Sequence, residues 1–412
     1  MLWKIRHACP QCGAPVDFSE SDRLLACPYC RVRLLLHTRG VFRYVVPPKD
    51  PNRDDLLYIP YWRFKGVMYS CVPQGVKHRL LDASILAMRE KVFPLSLGLR
   101  PQTLSLRFAF DSPQGRFIRP DIRLADAVTT MIRRIKSLDG TWSRKRFSRD
   151  FIGEQAGIIY APVYEKGGRF FDAVLERPIS ASKDGNERKW RSENPQNWQI
   201  TYLPTLCPNC GWDLAGDEDS LVLVCTNCES AWHERDGKME KIALQAEDHP
   251  ASETILPFWE FCISSQELGL GSRADLVRMA NLPRIARPDE EQQRCSFLVP
   301  AFKLRPDLFL RLARQVSTSV PRSEGERAGG ILPDRFFPVT LNEKEAFQSL
   351  PYIIGDLATR KKTVLPVLAD ADLKVHMTTL LLLPFETCGG ELLHPSRAIS
   401  ISRQSVEHSR HI

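Results

Sequence analysis

The sequence contains no run of apolar residues long enough to cross a bilayer. The longest such run, residues 379–385, has the length of a β-strand, whereas a membrane-spanning helix needs about 20 apolar residues. Residues 1–7 also lack the apolar core of a secretory signal. We therefore expect a cytoplasmic protein with no membrane span.

The motifs of common catalytic machinery are missing as well. The sequence has no phosphate-binding loop of the form GxxxxGKS/T, and no GxGxxG after a strand. It has neither a GxSxG nor an HExxH motif, and its nine histidines are scattered singly along the chain. Residues 370–372, Asp-Ala-Asp, could contribute carboxylates, but we interpret them as a solvated turn. These absences predict a protein that is not an enzyme.

The composition is otherwise that of an ordinary globular protein. Hydrophobic residues make up 43% of the 412 residues and charged residues 26%. This length suggests two or three domains, with enough residues for a substantial core. Two features stand out: the chain has 12 cysteines and a formal net charge of +8.

Eight of the 12 cysteines form two arrays of identical spacing. Each array has two CxxC pairs separated by 14 residues: Cys9 and Cys12 with Cys27 and Cys30, then Cys207 and Cys210 with Cys225 and Cys228. A two-residue gap lets both thiolates of a pair bind one ion, and the segment between the pairs is long enough for a hairpin. Glycine follows the second cysteine of each array, where the turn needs a positive φ or close approach to sulfur. The spacing predicts two structural Zn²⁺ ions per chain, with these eight cysteines as ligands.

Three other interpretations of the arrays remain open. Disulfides would need an oxidising compartment, for which we see no export signal. A rubredoxin-like iron centre uses similar pairs, but normally with a longer gap between them. A thioredoxin-like redox pair needs one CxxC in a βαβ unit rather than two facing pairs. Four thiolate ligands would leave zinc no open position for water or substrate, which favours a structural role over hydrolysis.

The other four cysteines are isolated in the sequence: Cys71, Cys262, Cys295 and Cys388. We expect them to be buried as small apolar residues. Cys388 differs from the others because it adjoins two glycines in a predicted turn, so its role stays open.

Landmarks that recur in the same order predict an internal duplication. A proline-aromatic-tryptophan sequence begins 30 residues after the last cysteine of the first array, at 60–62, and 29 residues after that of the second, at 257–259. Segments that end in Gly-Gly recur at 158–168 and 380–390, and both predict hairpins. We interpret the proline-aromatic segments as buried strands whose tryptophans anchor the core.

The duplication predicts an α+β fold in which each half is a four-cysteine zinc ribbon followed by a mainly antiparallel β-sheet domain with a few helices. The predicted segments are zinc ribbon 1 with a β-hairpin (1–46), α+β domain 1 (47–180), a polar linker (181–203), zinc ribbon 2 (204–240) and α+β domain 2 (241–412). The hairpin is predicted from 33–37 and 41–46. Apolar residues at helical spacing predict a helix over 122–138, and Thr340 with Glu343 fits a capping box for a second helix.

The net charge is distributed unevenly. Residues 1–200 carry 34 basic and 20 acidic residues, a net +14, whereas residues 201–412 carry 23 and 29, a net −6. A basic cluster in the first half could bind the phosphates of a nucleic acid through Arg133, Arg134, Lys136, Arg144, Lys145, Arg146 and Arg149. Alternatively, these residues form a solvated face, or the basic half neutralises the acidic half. The second ribbon argues against a shared nucleic-acid role, because the acidic residues of its hairpin would repel phosphate.

The Cys-Pro-x-Cys-Gly and Cys-Pro-x-Cys sequences at 9–30 resemble the zinc-ribbon superfamily, which includes ribbons of the transcription factor IIB type. Together with residues 59–66 they resemble uncharacterised bacterial zinc-ribbon proteins. The resemblance implies four cysteines on zinc and a small β-rich knuckle, but no particular function, because ribbons bind nucleic acids and proteins alike. We predict a non-enzymatic adaptor or assembly protein whose two ribbons contact protein partners of unknown identity. The alternative is a nucleic-acid-binding accessory protein that uses its basic first half.

Overall fold

The chain forms an α+β fold made mostly of sheets. The computed structural model describes residues 4–98, 106–111, 115–138, 147–181, 190–247, 254–319 and 335–409. Within these ranges there are six α-helices, and the strands form five sheets. The expectation of an α+β fold is therefore confirmed.

The strands are, in chain order, β1 (Lys4–Ala8), β2 (Pro15–Ser19), β3 (Leu24–Ala26), β4 (Arg33–His37), β5 (Phe42–Val45), β6 (Leu57–Val72), β7 (Gly75–Leu86), β8 (Arg107–Phe108), β9 (Arg116–Ile118), β10 (Ser148–Lys166), β11 (Arg169–Asp172), β12 (Arg177–Ala181), β13 (Ser192–Glu193), β14 (Thr201–Pro204), β15 (Val222–Cys225), β16 (Ser230–Arg235), β17 (Lys238–Ile242), β18 (Leu244–Ala246), β19 (Thr254–Ser264), β20 (Ser296–Pro300), β21 (Lys374–Cys388), β22 (Glu391–Leu393) and β23 (Ser400–Ser402). The helices are α1 (Leu124–Leu138), α2 (Arg273–Ala280), α3 (Pro306–Thr318), α4 (Glu343–Leu357), α5 (Lys361–Val367) and α6 (Arg403–Ser409). In the part of the chain that the structure describes, no helix is both long and apolar enough to span a membrane.

Contacts between residues divide the chain into two compact units. Unit 1 comprises Met1–Gly66, Leu81–Trp142 and Gly153–Pro204, and unit 2 comprises Val67–Leu80, Ser143–Ile152 and Thr205–Ile412. Each unit has a hydrophobic core of its own. The first cysteine array lies in unit 1 and the second in unit 2.

Unit 1 contains most of a mixed nine-stranded sheet. Its central path runs β12-β11-β10-β6-β9-β13, and β5 joins it in parallel with β10. Three hydrogen bonds link β6, Ala87 and the segment before α1. The N–H of Ala87 donates to the Pro60 carbonyl in β6 (2.9 Å), and the N–H of Ile122, before α1, donates to the Ala87 carbonyl (3.2 Å). The Trp62 indole N–H completes the set by donating to the Ile122 carbonyl at 2.7 Å.

Unit 2 contains a six-stranded sheet with the same kind of connection. The strand order is β20-β19-β21-β22-β23, with β18 parallel to β21. The N–H of Ala301 donates to the Pro257 carbonyl and that of Leu341 to the Ala301 carbonyl, both at 3.0 Å. The Trp259 indole N–H donates to the Leu341 carbonyl at 2.9 Å. Trp259 is buried in the core of unit 2, as predicted. Trp62 is also buried, but it is not a member of the core cluster of unit 1.

Both Gly-Gly segments form the predicted hairpins. β10 and β11 are joined at Gly167 and Gly168, whose φ angles are +58° and +68°. β21 and β22 are joined at Gly389 and Gly390, with φ of +61° at Gly389. Glycine is needed because side chains strain backbone with positive φ in a two-residue turn.

The hairpin predicted near the first ribbon does not form, although both strands do. β4 pairs with β3 and β14, whereas β5 pairs in parallel with β10. β5 leaves the ribbon because Tyr44 and Val45 are buried in the core of unit 1. Residues 201–203 of the predicted linker, together with Pro204, pair antiparallel with β4 instead.

The helix starts differ slightly from the predicted ones. α1 begins at Leu124, two residues after the predicted start. α4 is capped by Asn342, whose side-chain oxygen accepts the N–H of Glu345 at 2.9 Å, and not by Thr340. The Thr340 hydroxyl accepts the N–H of Lys303 at 3.0 Å, so it is engaged elsewhere.

Candidate metal centres

The cysteine pairs lie on tight turns of one design. In the first turn, the N–H of Gly13 donates to the Cys9 carbonyl and the N–H of Cys9 donates to the Ala14 carbonyl, both at 2.8 Å. The turn at Cys27 repeats these bonds, with Arg31 in the position of Gly13. Such a turn directs the sulfur atoms of both cysteines to one side.

The residue after the second cysteine of every pair has left-handed backbone. The φ angles are +74° at Gly13, +61° at Arg31, +75° at Gly211 and +49° at Glu229. The two glycines are those that the sequence analysis identified. Arginine and glutamate adopt the same conformation at a cost of about 1 kcal/mol each, so the turn geometry is kept even where the residue type disfavours it.

In unit 1 the four sulfur atoms converge on one point. The Sγ atoms of Cys9 and Cys30 are 3.7 Å apart, as are those of Cys12 and Cys27. All four lie within 4.8 Å of one another. A tetrahedron of sulfur atoms around zinc, with Zn–S near 2.3 Å, has edges of about 3.8 Å. The cluster therefore fits a metal ion of this size.

The cluster in unit 2 has almost the same dimensions. The Sγ atoms of Cys207 and Cys228 are 3.6 Å apart, and those of Cys210 and Cys225 are 3.4 Å apart. Again, all four lie within 4.8 Å of one another. The eight cysteines that the sequence analysis selected are therefore brought together as two groups of four, each of which could hold one metal ion.

Ser230 supports the second cluster from outside the ligand set. Its hydroxyl lies 3.0 Å from the Sγ of Cys228 and accepts the indole N–H of Trp232 at 2.8 Å. Because the indole uses a lone pair of the oxygen, the serine proton can point to the sulfur. The side chains of Asn209 and Ser230 lower the pKa of the Cys228 thiol through such contacts. Partners of this kind orient metal ligands, but no spacing rule marks Ser230 in the sequence.

The knuckle backbones favour thiolates, whereas the crowding of sulfur atoms opposes them. The N–H of Cys30 is the main cause that lowers the pKa of the Cys27 thiol to about 6. In unit 2, burial and then the neighbouring thiols of Cys210 and Cys228 raise the pKa of Cys225 to about 12. Four negative sulfur atoms at these distances repel one another, so their full ionisation requires a bound cation.

The donor sets limit what the clusters can do chemically. Each consists of four cysteines, and thiolate is the soft ligand that zinc and iron–sulfur sites use. A tetrahedron of four protein ligands has no position for water or a substrate. The arrangement therefore suits an ion that holds the fold together.

Three of the four isolated cysteines are buried, as predicted: Cys71, Cys262 and Cys295. Cys388 is exposed, so the expectation that all four are core residues is wrong for this one. It ends β21 at the Gly-Gly turn, where the hairpin projects its side chain away from the core.

The predicted nucleic-acid residues are only partly described. Three lie outside the described residues: Arg144, Lys145 and Arg146. Three others belong to α1 in unit 1: Arg133, Arg134 and Lys136. Arg149 lies in the part of β10 that belongs to unit 2, where its Nε donates to the Ser70 hydroxyl at 3.1 Å. The described members of the set are thus divided between the two units.

The second ribbon exposes a pair of apolar residues, Trp212 and Leu206. Trp212 is 59% exposed and Leu206 is 50% exposed, on either side of the first knuckle. The Trp212 carbonyl accepts the N–H of Cys207 at 2.7 Å, which fixes its backbone to the cluster. The same ribbon exposes Asp213 and Glu218. No sequence motif includes Leu206, so only the structure shows that it is an exposed neighbour of the first knuckle.

Comparisons with known proteins add no relative to these observations. No protein-family model, no curated protein and no solved structure matches the chain. What characterises the chain is its two four-cysteine clusters, each of which could hold one metal ion.

Proposed function

We propose that this protein is a non-enzymatic adaptor that binds two structural zinc ions and docks a protein partner on the zinc ribbon of unit 2. The main observation in favour of a docking surface is that Trp212 is exposed beside a closed four-cysteine cluster.

Zinc is the metal that suits the clusters best. The sulfur–sulfur distances are close to the edges of a tetrahedral zinc site, and thiolate ligands without an open position are typical of structural zinc. Each ion then offsets the repulsion among four thiolates and contributes to the folding free energy of its ribbon. No catalytic role is assigned to either ion, because neither has room for a substrate.

The two units are related by duplication. This is supported by the three hydrogen bonds that link proline, alanine and tryptophan positions in the same way in both units. It is also supported by the parallel pairing of β5 with β10 and of β18 with β21, and by the Gly-Gly hairpin that follows in each case. A duplicated scaffold with two structural ions fits an assembly role better than it fits catalysis.

The docking surface is defined by Trp212, Leu206 and the acidic residues beside them. Tryptophan at the centre of an interface contributes more binding energy than most residues, because it buries a large area in a pocket of the partner. Asp213 and Glu218 are exposed on the same ribbon. The partner expected here is a protein with an apolar pocket bordered by lysine or arginine side chains.

Site-specific photocrosslinking identifies the partner, and the affinity of the purified partner then tests the docking surface. A photoreactive phenylalanine analogue replaces Trp212 in one sample and the 91%-exposed Ile285 in another. We expect a discrete protein adduct from position 212 and none from position 285. The adduct partner is then purified and its affinity measured by calorimetry, where Trp212→Ala should weaken binding about 30-fold and Ile285→Ala should leave it unchanged.

Two controls make the result decisive. Zinc content shows that Trp212→Ala keeps its ribbon intact, and nuclease treatment before crosslinking removes nucleic acid. Equal affinity of Trp212→Ala and wild type would refute the docking surface. Adducts that disappear with nuclease treatment would favour the alternative role in nucleic-acid binding.

A further inference from the structure

Unit 1 contains a cavity of a size that suits a small molecule. Its volume is about 690 Å³, within the range of about 300–1,000 Å³ that is usual for ligand pockets. The floor is apolar, because Trp62, Met88, Ile118 and Ile158 line it and are all buried. An apolar floor favours a ligand with a ring or hydrocarbon body.

The rim of this cavity is strongly basic. Four arginines line the cavity, against two acidic residues, Asp121 and Glu193. Arg123 and Arg191 are exposed at the rim, and no acidic side chain pairs with either of them among the described residues. Guanidinium groups without an acidic partner attract oxyanions and can bind them with two parallel hydrogen bonds.

A third arginine is held rigidly in the wall. One terminal nitrogen of Arg43 donates to the Tyr160 hydroxyl at 2.9 Å and to the Glu193 carboxylate at 3.0 Å. Its guanidinium carbon lies 4.4 Å from the ring centre of Trp198. A side chain fixed in this way loses little conformational entropy when a ligand binds.

The corresponding position of unit 2 is apolar. In unit 1, Arg43 lies opposite Ile158 in the parallel pair of β5 and β10. In unit 2, Leu244 lies opposite Leu380 in the parallel pair of β18 and β21. Leu244 therefore stands where unit 1 has the half-buried Arg43, and it packs against the core.

The floor positions are also filled in unit 2. By the hydrogen bonds that match the two units, Phe302 and Phe337 stand where unit 1 has Met88 and Ile118. Their ring centres are 5.2 Å apart, in edge-to-face contact. The same scaffold is thus packed with phenylalanine in one unit, whereas in the other it leaves a cavity with arginines around it.

We propose that unit 1 binds a small organic oxyanion, namely an apolar ring system that carries a phosphate or carboxylate group. The ring contacts the floor formed by Trp62, Met88 and Ile118, and the oxyanion group binds Arg123 and Arg191. This inference is independent of the docking surface on the second ribbon, because it concerns other residues in the other unit.

Calorimetry on the full, metal-loaded chain tests the proposal with three probes of equal ring size. These are 1-naphthyl phosphate, 1-naphthoate and the neutral 1-naphthalenemethanol. We expect at least one anion to bind with one-to-one stoichiometry, and the neutral probe to bind at least tenfold more weakly. Arg123→Gln and Arg191→Gln should each weaken anion binding about tenfold. The stronger of the two anions shows which oxyanion the site prefers.

Two further variants separate a built site from general charge attraction. Arg177→Gln removes another exposed arginine of unit 1, outside the cavity, and should leave the affinity unchanged. Ile118→Phe introduces the residue type that unit 2 has at the matching position and should abolish binding of all three probes. The proposal is overturned if neither anion binds at low ionic strength, if the neutral probe binds as tightly, or if Arg177→Gln weakens binding as much as Arg123→Gln.

Discussion

Glu290 is a buried carboxylate held between an arginine side chain and the backbone. Each of its oxygens accepts a hydrogen bond from Arg284 at 2.7 Å, and one also accepts the N–H of Arg287 at 2.8 Å. These contacts, those with Arg284 above all, lower the pKa of Glu290 from 4.5 to about 2. The ionised carboxylate therefore stabilises the folded state fully above pH 4.5, and this stabilisation is lost as the pH falls through about 2.

Replacing Glu290 by glutamine tests this interaction. The variant keeps the size of the side chain but leaves Arg284 without a negative partner, so we expect the free energy of unfolding at pH 7 to fall by about 2 kcal/mol. The difference from wild type should shrink below pH 4.5, because wild-type Glu290 then loses the same stabilisation. Urea unfolding followed by circular dichroism at several pH values measures both effects.

The neighbouring Glu291 provides the matched control. It pairs with Arg278, but about half of each side chain is exposed. Exposed pairs contribute little, so Glu291→Gln should cost less than about 0.5 kcal/mol. Equal losses for the two variants would contradict the view that burial makes the Glu290 interaction strong.

Among the strands and turns, the cysteine turns and the glycine hairpins could be predicted from the sequence, but the partners of the strands could not. Two CxxC pairs with a fixed gap bring four thiolates together because the turn geometry is local, and Gly167-Gly168 makes a hairpin for the same reason. β4 and β5 were recognisable as strands. β4 pairs with the nearby β3, but its other partner is residues 201–204, and β5 pairs with β10. These last two partners lie far along the chain, and no local pattern in 33–46 encodes that choice.

The residue that caps α4 could not be predicted from the local sequence either. Thr340 and Asn342 are both good N-cap residues, and each stands three positions before a glutamate, Glu343 and Glu345 respectively. The choice of Asn342 depends on the hydrogen bond from Lys303 that engages the Thr340 hydroxyl. That contact is made with a segment 37 residues earlier in the chain, so only the folded structure decides which residue caps the helix.

Removing one ligand at a time tests whether the two ribbons are independent elements. We expect Cys9→Ser to remove the metal of the first ribbon alone, and Cys207→Ser that of the second alone, because much of the folding free energy of a ribbon comes from its own ion. Metal content by mass spectrometry and mapped limited proteolysis report the two effects. The exposed, non-clustered Cys388 is the control, and Cys388→Ser should retain both metals. Loss of both metals from either single ligand variant would show that the ribbons are coupled.

For the whole molecule, the order of landmarks in the sequence pointed to two related halves, but not to the segments that make up each compact unit. Unit 2 includes Val67–Leu80 and Ser143–Ile152 from the first half of the chain. β6 is a single strand, buried along nearly its whole length, that continues through the boundary at Gly66 and Val67, so its sequence predicts one strand and no division. The cavity of unit 1 was equally hidden, because its arginines are spread over 43, 119, 123 and 191.

The uneven distribution of charge along the chain can be related to the two candidate binding surfaces. The net +14 of residues 1–200 includes the arginines around the cavity of unit 1, whereas the net −6 of residues 201–412 includes the acidic residues beside Trp212. Matching positions in the two units carry different chemistry, as Arg43 and Leu244 illustrate. Under the proposed duplication, divergence of this kind provides one scaffold with two different binding surfaces.

Metal analysis of the purified full chain shows whether each four-cysteine cluster holds one structural zinc ion. Inductively coupled plasma mass spectrometry should give two zinc ions per chain and no stoichiometric iron. The cobalt-substituted protein should show the thiolate-to-metal charge-transfer and visible bands of tetrahedral sulfur coordination at both sites. One zinc ion per chain, none, or iron in place of zinc would rule out structural zinc at both clusters.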